Sequence, residues 1–378
     1  MKICVVTPRW AIAGVPLAQR RLALALAAEG HDVDLVIGRK DSDLTIPDTP
    51  GVTVVIWNAA GVRHMVLPLV RYLKTTKPAV VFSAEDHLNG AVLLAALLAR
   101  SNAKITGSSR VPPSDSYSNT PFTKGWFRKI AMTIISRRAD ALTCVSQDMV
   151  TAYREYFPGG PHEAVYNIID DATSRARAAE PVEHTWFVKR DVPLVVSAGT
   201  LTGRKNFKML VNVLGELKRR GRYVRLAIFG EGYRREELET LIAHHGIEDR
   251  TWLPGRVANP LAYFSHADVL ALTSYAEGLP NVLVEGMISG CTPVATDCPT
   301  GPREVIEGGR VGHLVAIDDV IAMADAIERA LEFPASSAAL DRATAPFRER
   351  VILAQHFALL GLELEPEENR DQERSALV

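Results

Sequence analysis

Apolar residues recur along this chain with two alternating spacings. Short β-branched runs such as "KICVVT" and "VTVVIW" are typical of buried strands, whereas "LAQRRLALALAAEG" has the spacing of an amphipathic helix. Strands are predicted in the first half at 2–8, 32–38, 52–57, 79–84, 104–109 and 141–146, with helices at 17–30 and 90–100. Strands that alternate with helices predict a parallel sheet with helices on both faces.

The alternation starts again after the stretch 173–191, which has neither spacing. Strands are predicted at 193–200, 224–232, 251–255, 268–274 and 292–297, with helices at 207–221, from Arg234 and from Pro280. We therefore expect an α/β protein with two Rossmann-like domains that face each other across a cleft. Such domains bind ligands at the carboxyl ends of their strands.

The predicted domain boundaries follow from these patterns. Residues 1–172 form the N-terminal domain, 173–191 a linker and 192–346 the C-terminal domain. A helix at 347–364 either stays with the second domain or crosses back to the first. The segment 365–378 is charged and aperiodic, as expected of a loose tail.

Composition and charge point to a soluble globular protein. The 378 residues are 47% hydrophobic and 23% charged with a net charge of −1, which argues against a general nucleic-acid-binding surface. The four cysteines are scattered and are expected to be free thiols in a reducing compartment. The N-terminus predicts a strand and no signal peptide, and the longest apolar run, 91–99, is too short to span a bilayer. We expect a cytoplasmic protein whose contact with a membrane, if it makes one, is peripheral.

Two glutamates flank a predicted helix start in "EGLPNVLVE". Glu277 lies in the loop after a strand, Glu285 lies on the helix, and Pro280 suits the first helical position. Free N–H groups from Gly278 to Asn281 (with Leu279 and Pro280 between them) and the positive helix end are expected to bind an anion. Taken alone, this spacing also fits a capping residue followed by a solvent-facing one.

The loops at neighbouring strand ends favour the anion site. "GTLTGRKNFKML" follows the first strand of the second domain and carries Arg204, Lys205 and Asn206 ahead of a helix. "FGEGYRREEL", "LPGRV" and "DCPTGPREVI" follow other strands of the same domain. Because the carboxyl ends of parallel strands lie at one edge of a sheet, these loops are expected to converge.

These motifs resemble the retaining family 4 glycosyltransferases of the GT-B fold, which share a lysine-bearing loop and two glutamates spaced as Glu277 and Glu285 are. "DCPTGPREVI" is similar to the branch that extends bacterial lipid-linked or surface glycans. The resemblance is strong from Val192 to Val315 and continues through "GHDVDLVIG", "ADALTCVSQDM" and "AVYNIID" in the first half.

The resemblance implies roles for the residues that match. Glu277 contacts the hydroxyl groups of the donor sugar, Glu285 holds the nucleotide ribose and Lys205 binds the pyrophosphate. The arginine usual in the family is replaced by Thr200, so Arg204 becomes the candidate for that positive charge.

In the N-terminal half, the resemblance implies residues on the side of the site that binds the acceptor substrate. Arg110 stands where many members have a histidine, and Asn89 matches an asparagine found upstream in the branch. Gly14 follows the first strand and allows two interpretations, a plain turn or a backbone that approaches the donor phosphates.

The implied reaction transfers a hexose or N-acetylhexosamine from a nucleotide sugar, expected to be UDP-linked, to a glycan or lipid-linked hydroxyl group. Glu277, Lys205 and Arg110 are the candidate catalytic residues, with no cofactor, metal or nucleic acid involved. Two alternatives remain: another GT-B sugar-nucleotide enzyme, such as an epimerase or phosphorylase, and a non-catalytic nucleotide-sugar-binding partner.

Two further patterns bear on metal and membrane binding. Asp32-Val33-Asp34 and Asp41-Ser42-Asp43 have the spacing of metal-binding aspartates, but both lie in the first domain, and the first pair is expected to face solvent. The helix predicted in 121–138 has an apolar stripe with Lys124 and Arg128 opposite. It either packs on its own sheet or contacts an anionic membrane.

Overall fold

The structure is a computed structural model that describes residues 1–11, 14–40 and 44–364. It divides into two compact units. The first contains Met1–Val145, Val150–Ile168 and the chain from Glu349, and the second contains Ser146–Met149 and Ile169–Arg348. The predicted tail at 365–378 and the pair Asp41 and Asp43 lie outside the described residues.

The first unit is built on a seven-stranded parallel sheet with the strand order β3-β2-β1-β4-β5-β6-β7. Its strands are β1 (Lys2–Thr7), β2 (Asp32–Ile37), β3 (Val52–Ile56), β4 (Val80–Ala84), β5 (Lys104–Ser109), β6 (Ala141–Cys144) and β7 (His162–Ala164). Strands β1 and β4 are almost wholly buried, as expected where helices cover both faces of a parallel sheet.

The second unit is built on a six-stranded parallel sheet with the order β10-β9-β8-β11-β12-β13. Its strands are β8 (Leu194–Ala198), β9 (Arg225–Phe229), β10 (Thr251–Gly255), β11 (Val269–Leu272), β12 (Thr292–Thr296) and β13 (His313–Val315). The order reverses between β8 and β11. In doubly wound sheets this reversal opens a crevice at the carboxyl ends of the two strands.

Helices connect the strands in both units. They are α1 (Gly14–Ala28), α2 (Val66–Thr76), α3 (Asp86–Ala99), α4 (Lys124–Ile135), α5 (Gln147–Tyr156), α6 (Ala172–Ala178), α7 (Thr185–Lys189), α8 (Phe207–Arg219), α9 (Arg235–His245), α10 (Pro260–Phe264), α11 (Asn281–Ile288), α12 (Pro302–Val305), α13 (Val320–Glu332), α14 (Ser337–Thr344) and α15 (Glu349–Leu359). Short 3-10 helices lie at Val62–Met65, Pro113–Asp115, Ser136–Arg138, Gly203–Lys205, Glu248–Arg250, Glu307–Gly309 and Ala345–Phe347.

Helix α8 shows how the sequence pattern produces this packing. Its buried residues include Leu210, Leu214 and Leu217, whose spacing places them on one face toward the sheet. Burying one such leucine contributes roughly 1.5–3 kcal/mol. The opposite face carries Glu216, which pairs with Arg219 and Arg220 at 2.7 and 2.8 Å.

The stretch 173–191, expected to be an aperiodic linker, contains regular structure instead. Helices α6 and α7 lie within or at the edge of it, and the stretch belongs to the second unit. Phe187 of α7 is fully buried against the rings of Trp252 and Tyr263, with centroids 5.9 and 5.0 Å away. Two helices this short carry too few periodic positions to be recognised from the sequence. Helix α15, in contrast, belongs to the first unit.

Candidate functional site

Lys205 and Glu277 meet at the carboxyl edge of the second sheet. Lys205 ends the 3-10 turn after β8, and Glu277 follows β11, the strand that pairs with β8. The Lys205 Nζ lies 2.6 Å from Glu277 Oε1, and the two side chains are only 17% and 5% exposed. The sequence indicated both residues but not this ion pair, which joins positions 72 residues apart.

The carboxylate of Glu277 is held in a fixed orientation. Ser274 Oγ donates a hydrogen bond to Oε1 at 2.5 Å, the same oxygen that accepts from Lys205. The hydroxyl of Thr300 donates to the backbone carbonyl of Glu277. Both bonds to the carboxylate go to Oε1, so among the described residues Glu277 Oε2 has no hydrogen-bond partner and remains able to accept one.

The start of α11 differs in one respect from the sequence expectation. The helix begins at Asn281, so Pro280 precedes it. The amide of Asn281 donates to the carbonyl of Leu279 at 3.0 Å, and Pro280 has no amide hydrogen. Of the four predicted positions 278–281, Gly278 and Leu279 are the two whose amides have no backbone acceptor among the described residues. The predicted four-residue anion site is therefore a two-amide site next to a helix end.

The other expected donor-side residues are divided between the two units. Glu285 lies on α11 and is half-buried. Arg204 and Thr200 are exposed in the loop after β8, and the Arg204 carbonyl accepts from the amide of Tyr275 at 2.9 Å. Gly14 begins α1 in the first unit, and a Cβ added there would meet no atom of the described residues within 4 Å.

A second cluster beside the site was not recognised from the sequence. Asp318 Oδ1 accepts hydrogen bonds from Asn206 Nδ2 and from the Tyr275 hydroxyl, each at 2.9 Å. Asn206 directly follows Lys205, and Tyr275 comes two residues before Glu277. These bonds link the two loops that carry the ion pair. The polar side chains adjacent to Lys205 and Glu277 were the only sequence signal for this cluster.

Arg110 is enclosed by side chains of the first unit. Its guanidinium donates to the side-chain oxygen of Asn167, and a second donor lies 3.4 Å from Gln19 Oε1. Burial lowers the pKa of Arg110 to about 10, while the nearby Glu85 carboxylate opposes this change. The group is therefore protonated at neutral pH, and its Nε is buried without an acceptor among the described residues.

Asn89 is not placed as expected for a residue that contacts the acceptor substrate. Its carboxamide oxygen accepts from Ser83 Oγ at 2.8 Å, and its Nδ2 donates to the Ser108 carbonyl at 3.1 Å. The side chain is fully buried. Because both polar ends are occupied, Asn89 ties β4 to β5, and it has no exposed polar group to offer a substrate.

A buried carboxylate near Arg110 was also missed. Asp86, at the start of α3, accepts hydrogen bonds from Ser109 Oγ at 2.6 Å and from the Tyr153 hydroxyl at 2.5 Å. Burial raises the pKa of Asp86, and hydrogen bonds from Ser109, Tyr153 and Tyr117 oppose that rise. This network fixes the carboxyl ends of β4 and β5, directly before Arg110.

The aspartates at 32 and 34 are already paired within the first unit. Lys2 Nζ donates to Asp32 Oδ1 at 2.9 Å and to Asp34 Oδ1 at 2.6 Å. Both side chains lie on one face, as predicted, but Asp34 is buried, and Tyr72 donates to it at 2.5 Å. The expectation that both carboxylates face solvent is therefore wrong for Asp34.

Two family models match this chain. The model described as "Glycosyl transferases group 1" matches residues 192–332, and the model described as "Glycosyltransferase Family 4" matches residues 13–173. The chain belongs to glycosyltransferase family 4. The sequence resemblance is thereby confirmed.

Solved structures confirm the fold of this family 4 member. HepE of Anabaena in complex with UDP aligns with a TM-score of 0.76 at 17% identity, covering 96% of this chain and 100% of that one. Sucrose-phosphate synthase from Thermosynechococcus elongatus aligns with a TM-score of 0.75 at 19% identity, covering 95% and 98%. At such identities the likeness shows the fold alone, which is GT-B, as predicted.

Curated relatives match part of the chain. An N-acetylgalactosamine-N,N'-diacetylbacillosaminyl-diphospho-undecaprenol 4-alpha-N-acetylgalactosaminyltransferase of Campylobacter jejuni is 29% identical over 206 residues, 54% of each chain. The lipopolysaccharide core biosynthesis glycosyltransferase LpsD of Rhizobium meliloti is 30% identical over 195 residues, 51% of this chain and 54% of that one. The chain thus spans about half the length of the curated relatives it matches.

Two kinds of feature are absent from the residues that the structure describes. Within 1–11, 14–40 and 44–364, no helix has the length and apolarity needed to cross a bilayer. Over those ranges, no group of three or more His, Cys, Asp or Glu side chains is placed to hold a metal ion.

Proposed function

We propose that this protein is a retaining glycosyltransferase that moves a hexose or N-acetylhexosamine from a nucleotide sugar to a hydroxyl acceptor in bacterial surface polysaccharide synthesis. The observation that supports this proposal most directly is the Lys205–Glu277 ion pair at 2.6 Å, which lies next to two amides without acceptors before the start of α11. The arrangement offers positive charge for a diphosphate and, next to it, an acceptor oxygen for a sugar hydroxyl.

Each group has a defined part in the proposed reaction. The ammonium of Lys205 has three donors, so it can keep Glu277 and also bind the diphosphate. The amides of Gly278 and Leu279 stabilise the negative charge that grows on the diphosphate oxygen as its bond to the anomeric carbon breaks. The new bond forms from the acceptor oxygen on the same face of the sugar, and the acceptor proton passes to the departing diphosphate. No side chain has to serve as the base.

We further propose UDP as the nucleotide, Glu285 as the ribose contact and Arg110 as the acceptor-side cation. HepE, which shares the fold, was solved with UDP, and the Campylobacter relative acts on a diphospho-undecaprenol acceptor. A polyprenyl acceptor is held in a bilayer by its hydrocarbon chain, so this proposal places the protein in the cytoplasm at the inner face of the membrane. No metal or other cofactor is needed.

Thermal shift against UDP-, GDP- and ADP-sugars tests the choice of donor. Saturating ligand at a hundredfold excess over Kd stabilises a protein by about 2.7 kcal/mol. We expect the shift with UDP-sugars, and a shift with GDP- or ADP-sugars alone would contradict UDP. A donor-hydrolysis assay then separates a transferase from a non-catalytic binding partner, which would bind the sugar nucleotide without releasing UDP.

A further inference from the structure

One stretch of the first unit carries a strong excess of positive charge. Residues 49–139 contain 12 Lys and Arg and only 3 Asp and Glu, whereas the whole chain has 43 and 44. Of the three acids, Asp86 is buried in its network and Glu85 is partly buried. Positive charge is therefore concentrated on α2, on α4 and in the segments that join the helices, whereas α3 itself carries no Lys or Arg.

The same stretch exposes large apolar side chains on two neighbouring helices, α3 and α4, and at Phe122 just before α4. They are between 39% and 82% exposed, and we call them the α3–α4 face: Leu94, Leu97, Leu98, Phe122, Phe127, Ile130 and Ile134. On α4, Met132 is the one residue that is buried. The interpretation in which this helix packs its apolar stripe on its own sheet is therefore wrong, because most of that stripe faces outward.

The apolar residues of α3 and α4 adjoin one another. Leu94, Leu97 and Leu98 share one side of α3 by their spacing. Gly90 lies one turn earlier on that side, and a Cβ built there would be 3.5 Å from Ile135 Cδ1. Arg138, just after α4, donates at 2.7 Å to two carbonyls in the loop that follows α3. The two exposed stripes thus form one face.

Exposed cations lie on α4 and directly after α3 and α4. Arg100, Lys124, Arg128 and Arg137 are exposed, and no acidic residue occurs between 116 and 139. In the described residues no carboxylate pairs with these four side chains. Exposed apolar side chains and exposed basic residues on or directly after the same helices match the interface of a bilayer that contains anionic lipids, where apolar side chains insert and cations meet phosphate groups.

We propose that the α3–α4 face docks on an anionic phospholipid bilayer. A second copy of the chain is a poor occupant, because the two faces would bring the same sign of charge together. Each Lys or Arg near an anionic membrane changes binding about five-fold, so two neutralised arginines should weaken it about 25-fold. The apolar side chains of Phe127 and Ile134 insert into the bilayer.

Vesicle co-sedimentation of the full chain, without donor or acceptor, tests the proposal. We expect binding to vesicles of phosphatidylcholine mixed with phosphatidylglycerol, little binding to phosphatidylcholine alone, and a decrease with added salt. The double variant Arg128→Gln with Arg137→Gln should bind the phosphatidylglycerol vesicles about 25-fold more weakly than the wild type. The double variant Phe127→Ser with Ile134→Ser should also lose binding. The matched control is Val188→Ser with Phe333→Ser, two exposed apolar residues of the second unit, which should bind as the wild type does.

Three results would overturn the docking proposal: no binding to either vesicle, equal binding to both, or unchanged binding by both α3–α4 variants. A fourth is a dimer in sedimentation velocity that Phe127→Ser with Ile134→Ser abolishes, since this would identify a second copy as the occupant. All substituted side chains are exposed, and thermal melting checks that each variant is folded. Because no sugar nucleotide is present, any of these results leaves the proposed transferase activity untouched.

Discussion

The ammonium group of Lys205 lies 2.6 Å from a carboxylate oxygen of Glu277, and neither side chain is more than one-fifth exposed. Removing one member of such a pair leaves the other charge in a poorly solvated place, which is costly. The residue assigned to the diphosphate and the residue assigned to the sugar are therefore coupled before any donor arrives. Substitutions at either position must be interpreted with the other in view.

Lys205→Ala should weaken the binding of UDP much more than the binding of uridine. The lost charge-assisted hydrogen bond is worth about 1.5–3 kcal/mol, which corresponds to roughly 10- to 150-fold in Kd. Titration calorimetry with the two ligands measures the difference, and Lys189→Ala, an exposed lysine on α7, serves as the control. An equal loss for UDP and uridine would mean that Lys205 has a structural role alone.

Glu277→Gln should reduce turnover by about 100-fold while UDP affinity stays nearly unchanged, because orientation of the sugar is lost while the diphosphate contacts remain. Glutamine keeps the shape of the side chain and an oxygen that can accept from Ser274. Steady-state kinetics and UDP titration together separate the two effects. If UDP affinity fell as much as turnover, the role given to Glu277 would have to be abandoned.

Much of this architecture is predictable because it is local. The strands before Lys205 and Glu277 follow from apolar spacing, and their loops meet because parallel strands end at one edge of a sheet. The ion pair itself depends on rotamers and on a separation of 72 residues, which no local pattern encodes. The hydrogen bond from the Asn281 amide to the Leu279 carbonyl likewise depends on loop geometry, which the sequence does not show.

In the first unit, too, contacts between distant positions could not be predicted from local sequence patterns. Asn89 matches an asparagine of the family by its position in the sequence. Its side chain, however, is held by Ser83 and the Ser108 carbonyl, and the sequence alone does not show that these groups lie within hydrogen-bond distance. The Asp86 network was missed for this reason too, since Tyr153 lies 67 residues further along the chain. The sequence therefore identified Arg110 and Asn89 as candidates but not the side chains and carbonyl groups that bind them.

Gly230→Ala should destabilise the protein and disturb the loop that carries Lys205. Gly230 has φ +144°, and a Cβ there would lie 1.9 Å from the carbonyl oxygen of Gly199, so the backbone itself would have to move. Gly221→Ala is the matched control, because Gly221 also has positive φ (+76°) but open space around it. Urea unfolding of the control should show a loss of about 1 kcal/mol and Gly230→Ala a clearly larger one. Equal losses would contradict the close approach of the two loops.

Stability should fall as the pH drops below about 6.5, partly because of His356. Burial, assisted by the charge of Arg110, lowers the pKa of His356 to about 3. Between pH 6.5 and 5 the unfolded chain binds a proton that the folded chain excludes, so this histidine costs about 1.4 kcal/mol per pH unit. Its contribution to stability is present above the unfolded pKa and is lost as the pH falls toward the folded value.

The His356→Gln variant should therefore show a shallower loss of unfolding free energy between pH 6.5 and 5. His162, whose pKa burial lowers to about 4, provides part of the remaining slope. His87→Gln, a change at a histidine whose side chain is 59% exposed, is the control variant. A His356→Gln slope equal to that of the wild type would show that His356 can be protonated in the folded state.

Transfer activity should persist in excess EDTA. Lys205, the amides of Gly278 and Leu279 and the positive end of α11 supply donors and positive charge to a diphosphate, so we expect no divalent cation to be required there. The aspartates at 32 and 34 are engaged by Lys2, which a metal would have to displace. The measurement is transfer from a UDP-sugar before and after chelation, with Mn²⁺ or Mg²⁺ added back. Activity that disappears with EDTA and returns with either ion would show that the site's own positive charge is insufficient for the leaving diphosphate, and that carboxylates supply a metal site after all.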